Sequence, residues 1–358
     1  MNYHKKPGPQ PTHIFQGHAM RWILAGVILL ASVPALAQVP EDEIKEEEQP
    51  TAEQEGATED VRRAVDDEIV VTARRREEKL QEVPISVSVV SGETLQDIKA
   101  KDVSVLQDYT PNMSIYEGRN QSTTMTVFLR GIGQADPLWG VDPGVGLYFD
   151  DVYIARPQGA LLDIFDIQRV EVLRGPQGTL YGKNTIGGAM KYVSRPPTDK
   201  PEVSVLLTGG EYSTGELRAV ASGPLIKGKL RAKAAFAQLT RNGYGTNLFT
   251  GKDVSDKDTT AFRIGLDWFP SDKVSLSFSY DHTDDTAQPK GLTRLENNPF
   301  CVLFLGAPCP PEDNIFDTRS GLDPKNGTTW QGGHLNVRWL INDNWLFRSI
   351  TAYRESDT

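Results

Sequence analysis

From Pro197 onward the chain repeats one pattern, apolar and polar residues alternating over runs of about ten residues, and that pattern limits the fold more than any other feature. Phe262, Ile264, Leu266 and Trp268 alternate with Arg263, Gly265 and Asp267, and Val274, Leu276, Phe278 and Tyr280 alternate with Ser275, Ser277 and Ser279. A period of two belongs to β-strands. One face of each run is apolar and the other small or polar, as in a membrane barrel with a wet interior. The pattern predicts seven strands, at about 202–211, 216–224, 229–241, 259–269, 273–283, 333–341 and 344–354. The connections 226–228, 270–272 and 342–343 are tight, whereas 242–258 and 286–332 are long. In an outer-membrane barrel the tight ones face the periplasm and the long ones the outside. Trp268, Phe269 and Trp345 beside the tight turns suit an interfacial girdle, although a soluble β-sandwich core accepts the same residues.

Before Pro197 the grammar is mixed. Residues 84–90 alternate as a strand, and Ser91 is placed to cap a short helix running to Ile98. Asp102 caps a second helix that must stop before Pro111. Residues 126–130 and 145–154 read as strands and 159–167 as a helix, so 77–197 amounts to one small α/β domain. A soluble enzyme gives the same coarse pattern but also needs a nucleophile, base or ligand constellation, and none is evident. The domain ends in a run from Gln168 to Pro197 that opens with a β-type segment, Arg169–Leu173, and then brings Gly175, Gly178, Gly182, Gly187 and Gly188 close together. Such density marks tight turns or close packing, in a surface loop or against a wall. Gly178–Lys183 is not a nucleotide loop: only three residues separate its glycines, and Asn184 stands where a Mg²⁺-binding hydroxyl belongs.

The first 37 residues predict an export signal, with Arg21 before the apolar run Trp22–Val33 and an Ala35-Leu36-Ala37 cleavage site. The mature chain then begins at Gln38, and Met20 is the expected translation start because residues 1–19 are long and polar for a signal's head. The run is too short to span a bilayer as a helix. Residues 38–66 are Glu-rich with few large apolar side chains, so they cannot offset their ordering entropy and read as a disordered acidic linker. The net charge of −10 is local: residues 38–68 hold thirteen acids and three bases, which leaves the remainder balanced and gives no nucleic-acid footprint. No Cys or His cluster has metal-ligand spacing, and no cofactor is implied. Cys301 and Cys309 are the only cysteines, and in an exported protein they read as a disulfide closing a small loop, against two free thiols or an intermolecular bond.

The order of Glu171, Leu173-Arg174-Gly175, Leu180-Tyr181-Gly182 and Gly187-Gly188-Ala189 closely resembles the end of the plug domain in TonB-dependent outer-membrane receptors. Arg130-Gly131 resembles an earlier plug motif. The resemblance implies a transmembrane antiparallel β-barrel, incomplete here at about seven strands, with an N-terminal α/β plug over 77–197 and the barrel over 198–358. The family's barrel has about twenty-two strands, so the chain is expected to be a fragment. The plug motif then comprises Arg130, Gly131, Arg174 and Gly175, followed by Gly178, Tyr181, Gly182, Gly187 and Gly188, and its arginines are expected to pair with barrel glutamates. Asp67, Glu68, Ile69, Val70, Val71, Thr72 and Ala73 read alone as any edge strand, but their position resembles the TonB box. That segment adds as a strand to a TonB-like energy-transducing periplasmic protein. It is expected to lie outside any packed core. The implied function is energised uptake of a scarce nutrient across the outer membrane, with a ferric siderophore or other iron chelate as cargo and carbohydrate, cobalamin or haem as alternatives. A passive porin-like channel is the rival from another class, and no substrate-contacting residue is assigned.

Overall fold

The computed structural model describes residues 69–357 apart from 101, 119–123, 137–139, 157–165, 291–292, 294–295, 297–310 and 322–326. The expected signal, the acidic linker, Asp67, Glu68, Cys301 and Cys309 lie outside the described residues, as does most of the expected helix 159–167.

The described chain opens with a hairpin, β1 (Val70–Val71) against β2 (Glu78–Lys79), in which Val71 faces Glu78. Strand β3 (Ser86–Ser91) leads into α1 (Gly92–Asp97), whose N-terminus is capped as expected by Ser91 Oγ, which accepts from Thr94 N at 3.0 Å. Asp102 likewise accepts from Ser104 N at 2.8 Å and starts a 3₁₀ turn that continues into α2 (Leu106–Tyr109). Strands β4 (Met113–Glu117), β5 (Met125–Leu129) and β6 (Ile132–Gly133) form one small antiparallel sheet. Strand β4 is an addition to the sequence reading. Its alternation of buried Met113 and Ile115 with exposed Ser114 and Tyr116 follows a turn at Pro111 and Asn112, and Asn112 takes the left-handed conformation at φ 58°.

The larger plug sheet has the order β3-β9-β10-β7-β8, with β7 (Val145–Phe149), β8 (Val152–Tyr153), β9 (Ile167–Arg174) and β10 (Gly188–Ser194). Only the β10–β7 pairing is parallel. Ile167 begins a strand where the sequence suggested the end of a helix. Asp166 immediately before it sits at φ 53°, a conformation no α-helix continues through. The short helix α3 (Gly178–Tyr181) links β9 to β10. Leu95, Leu106, Leu129, Phe149, Val170 and Met190 fill the plug core, and Trp330 of the following sheet packs into the same cluster.

The remainder is one seven-stranded sheet in sequential antiparallel order: β11 (Glu202–Gly210), β12 (Thr214–Ile226), β13 (Leu230–Arg241), β16 (Lys257–Ser271), β17 (Val274–Asp285), β18 (Thr328–Asn342) and β19 (Trp345–Asp357). A two-stranded flap, β14 (Gly245–Asn247) and β15 (Lys252–Val254), occupies the connection before β16. Polarity across the sheet is inverted relative to a soluble protein. On β16, Arg263 and Asp267 are 5% and 9% exposed, whereas Ile264 and Trp268 are 43% and 50% exposed. A sandwich core would bury the second pair, so this sheet has its apolar face outward, as a barrel wall does.

Strand β18 begins five residues earlier than its alternation suggested, because the strand runs through Gly332, where the alternation breaks. A Cβ on Gly332 would stand 2.5 Å from Arg354 Cγ and 2.7 Å from Tyr353 O, so the strand needs a bare backbone where Arg354 crosses it. The β12–β13, β16–β17 and β18–β19 turns are short and share one end of the sheet, while the flap lies at the other. No helix among the described residues is long and apolar enough to cross a membrane, a statement that says nothing about strands.

Candidate functional site: a docked segment at the short-turn end

Residues 69–76 pack against the plug instead of hanging free. Ile69 and Val70 are half exposed, but Val71 and Ala73 are fully buried and share a cluster with Val83, Tyr148, Leu173, Tyr181 and Ala189. The expectation that this segment lies outside any packed core is therefore overturned for its second half. Two apolar side chains alternating on one face of an extended segment found an apolar floor on the β3-β9-β10-β7 sheet.

Between those two side chains lies Thr72, and every polar atom it has is engaged. Its N–H donates to Glu171 Oε1 at 2.9 Å and its hydroxyl to the same oxygen at 3.1 Å. Lys191 Nζ donates to Thr72 Oγ1 at 2.7 Å and to Thr72 O at 2.8 Å. Tyr181 Oη donates to Ala73 O at 2.9 Å, and Arg75 Nε donates to Leu180 O at 2.9 Å while its guanidinium lies 4.8 Å from the Tyr181 ring centre. Lys191 and Glu171 are completely buried and 3.7 Å apart, and each has a second partner of opposite charge. Lys191 pairs with Asp151 at 2.9 Å, and Glu171 with Arg169 at 2.8 Å. Buried charges persist only when paired in this way.

Asp151 occupies the β7–β8 turn, where Asp150 and Asp151 both take left-handed backbone, at φ 47° and 67°. That turn sends Asp150 to Ser194, with Ser194 N donating at 2.7 Å, and Asp151 to Lys191 and to Arg348 of β19, the latter at 2.8 Å. Burial pushes the Asp151 carboxyl up, but Lys191, Arg348 and Arg75 outweigh it and hold it below the ordinary aspartate value. Arg348 also donates to Arg75 O at 2.8 Å, so one barrel side chain touches both the docked segment and its counter-ion. Outside this core, Arg74 and Arg76 grip Glu78 and hold its carboxyl down to about 2. Tyr148 donates to Tyr181 O, and burial raises its phenol to about 12.

The motif residues read from sequence are scattered around this site. Gly178, Tyr181 and Gly182 lie on and just after α3, and Gly187 and Gly188 lead into β10. Gly188, at φ 148°, would bring a Cβ within 2.2 Å of Leu173 O, which is the close approach its glycine permits. Arg130, next to Gly131, is exposed at φ 54°, and its Nη1 comes within 3.3 Å of where a Cβ would stand on Gly175. Among the described residues neither Arg130 nor Arg174 pairs with a carboxylate, and Arg174 Nε is buried without a partner. The plug-to-barrel ion pairs among the described residues are of another kind. Plug acids meet barrel bases: Asp166 with Lys233 at 2.6 Å and Arg263 at 3.4 Å, Asp151 with Arg348, and Glu117 with Lys290 at 2.8 Å. Lys191, Asp151 and Arg348 were not singled out from sequence. Only a charged residue breaking the apolar run of β10 could have signalled Lys191.

Residues 79–189 match the family model described as the TonB-dependent Receptor Plug Domain. The pesticin receptor of Yersinia pestis is 32% identical over 191 residues, covering 52% of this chain and 27% of that protein. The ferrichrome outer membrane transporter/phage receptor of Escherichia coli K12 is 26% identical over 213 residues, covering 58% of this chain and 26% of its own length. The vitamin B12 transporter BtuB of Vibrio vulnificus is 30% identical over 174 residues, 45% of this chain and 27% of that one. The chain therefore spans about a quarter of the length of these curated relatives. In fold, it is similar to the ferric yersiniabactin uptake receptor FyuA of Y. pestis, with a TM-score of 0.63 and 22% identity over 76% of this chain and 41% of that one. It is also similar to the ferripyoverdine receptor of Pseudomonas aeruginosa, at a TM-score of 0.62 and 17% identity over 80% of this chain and 36% of that one. Residues 79–189 thus match the plug domain of TonB-dependent receptors, and an outward-apolar antiparallel sheet lies beside that domain, as in the receptors to which the chain is similar in fold.

Proposed function

We propose that the protein carrying this chain takes up a ferric siderophore or similar iron chelate across the outer membrane, driven by a TonB-like periplasmic partner that engages residues 67–73. The observation that carries this reading is the placement of the docked segment beside Arg348, three residues from the β18–β19 turn, at the end of the sheet that also holds the short β12–β13 and β16–β17 turns. In a barrel of this family that end faces the periplasm, where such a partner works. A relative named for ferrichrome, and fold neighbours named for ferric yersiniabactin and ferripyoverdine, support iron chelates as cargo. A cobalamin is the second reading, favoured by the likeness to a vitamin B12 transporter.

A passive channel is disfavoured by the plug itself. Its core shares Trp330 with the wall, and its acids are ion-paired to wall bases, which leaves the side of the sheet that would line a pore occupied. The test is thermal protection of the purified protein by a panel of ferric chelates, cobalamin and haem. A rise in Tm with an iron chelate alone supports the reading; a rise with cobalamin alone moves the assignment to the second.

A further inference from the structure

We propose that Lys191 is the anchor of the docked segment, and that Asp151 ties this anchor to barrel strand β19 through Arg348, so that docking of residues 69–76 depends on how the plug sits against that strand. The proposal deepens the coupling role given to residues 67–73 and rests on it for its consequence, though not for its geometry. Strand addition needs a segment's own N–H and C=O groups. At Thr72 both are taken, the N–H by Glu171 and the carbonyl by Lys191. In the docked state, then, a partner strand can reach Ile69 and Val70, which are half exposed, but cannot pair through Thr72.

Lys191 is suited to be the group that decides between docked and free. Its ammonium is 1% exposed and has three donors, two of which end on Thr72 while Asp151 stands at 2.9 Å as counter-ion. Withdrawing Thr72 leaves that ammonium short of two acceptors in a dry site, which favours the docked state as long as Asp151 and Glu171 hold Lys191 where it is. Asp151 is shared with Arg348, and Arg348 is the side chain that also holds Arg75 O. A shift of the plug against β19 therefore removes a bond from the segment and a partner from its anchor's counter-ion in one movement. Two other plug-to-wall ties, Glu117 to Lys290 and Asp166 to Lys233, have no such link to the segment.

The experiment is amide hydrogen exchange on the protein in its own outer membrane, reading residues 69–76 against β9 and β10 as internal reference. Lys191→Met, which keeps the buried stem and removes the charge, is expected to raise exchange at 69–76 at least tenfold with β9 unchanged. Arg348→Gln should raise it several-fold, and Lys290→Gln should leave it alone. Unchanged exchange in Arg348→Gln overturns the tie to the barrel, and unchanged exchange in a folded Lys191→Met overturns the anchor. If Lys191→Met loosens β9 and β10 as well, Thr72→Val decides the anchor, since it removes the hydroxyl contact without touching the charges. Capture by the periplasmic domain of the cell's TonB-like protein separates the two readings. Raised exchange with raised capture supports both, whereas raised exchange without any capture, in variant and wild type alike, retains the latch and refutes the coupling role.

Discussion

Replacing Val71 by proline separates two roles that the docked segment combines. Leu80 N donates to Ile69 O, so the alternation of an antiparallel ladder makes Val71 and Glu78 the next hydrogen-bonded pair. Proline removes the donor, at about 1 kcal/mol net, and leaves the Glu78 carbonyl without its partner, at about 1–3 kcal/mol if water does not reach it. The ring is close in volume to valine, so repacking the buried site adds less than about 1.5 kcal/mol. The total of about 2–5.5 kcal/mol corresponds to a roughly 30- to 10,000-fold rise in opening of residues 69–76, at about 1.4 kcal/mol per tenfold. Hydrogen exchange of that segment reads the opening directly. Val71→Ala is the companion: losing two buried methyl groups costs about 1–2 kcal/mol and loosens docking, but the backbone donor survives. Val71→Pro should therefore abolish energised uptake with ligand affinity held within about twofold, and Val71→Ala should open the segment roughly tenfold while keeping uptake. Unchanged exchange in Val71→Pro would refute the docking energetics. Wild-type uptake in the same variant would refute the coupling role.

Three further outcomes follow from the same geometry. Asp166→Asn strips the 2.6 Å counter-charge from the nearly inaccessible Lys233, which should cost up to about 3–5 kcal/mol, seen as a lower Tm and faster proteolysis of the plug; an unchanged Tm would show the clamp to be idle. The Glu78 carboxyl is held down to about 2, so its contribution to the β1–β2 hairpin is fully present above about pH 4.5 and lost as the pH falls from there to about 2. Exchange of the hairpin that is flat over that window, at low salt, would contradict it. Terminal sequencing of protein from the cell envelope should begin at Gln38, and a protein retaining Trp22 would exclude the Ala35-Leu36-Ala37 cleavage site.

What the chain reveals without coordinates depends on the range of the interaction. The wall strands are legible because a period of two is a local signal, and β16 displays it over four apolar and three small or polar positions. The caps at Ser91 and Asp102 are legible for the same reason, each closing over two or three residues. Strand ends are less so: Gly332 reads as loop, although in the fold it makes room for Arg354. The site is the least legible part, because Thr72 meets Glu171 and Lys191 across 99 and 119 residues and Arg348 reaches Arg75 across 273. Nothing in the composition of residues 67–73 says which half will be buried. That follows only once the sheet beneath offers Leu173, Tyr181 and Ala189 to Val71 and Ala73.

The central claim is that this plug belongs to an energised receptor and not to an open channel. Accumulation of a radiolabelled ferric chelate is the direct measurement, in cells expressing the protein with and without their TonB-like partner and with the proton gradient intact or collapsed. Accumulation above the outside concentration that disappears when either the partner or the gradient is removed is the predicted result. Equal uptake in all four conditions, rising in proportion to the outside concentration, would contradict it and make the protein a passive pore.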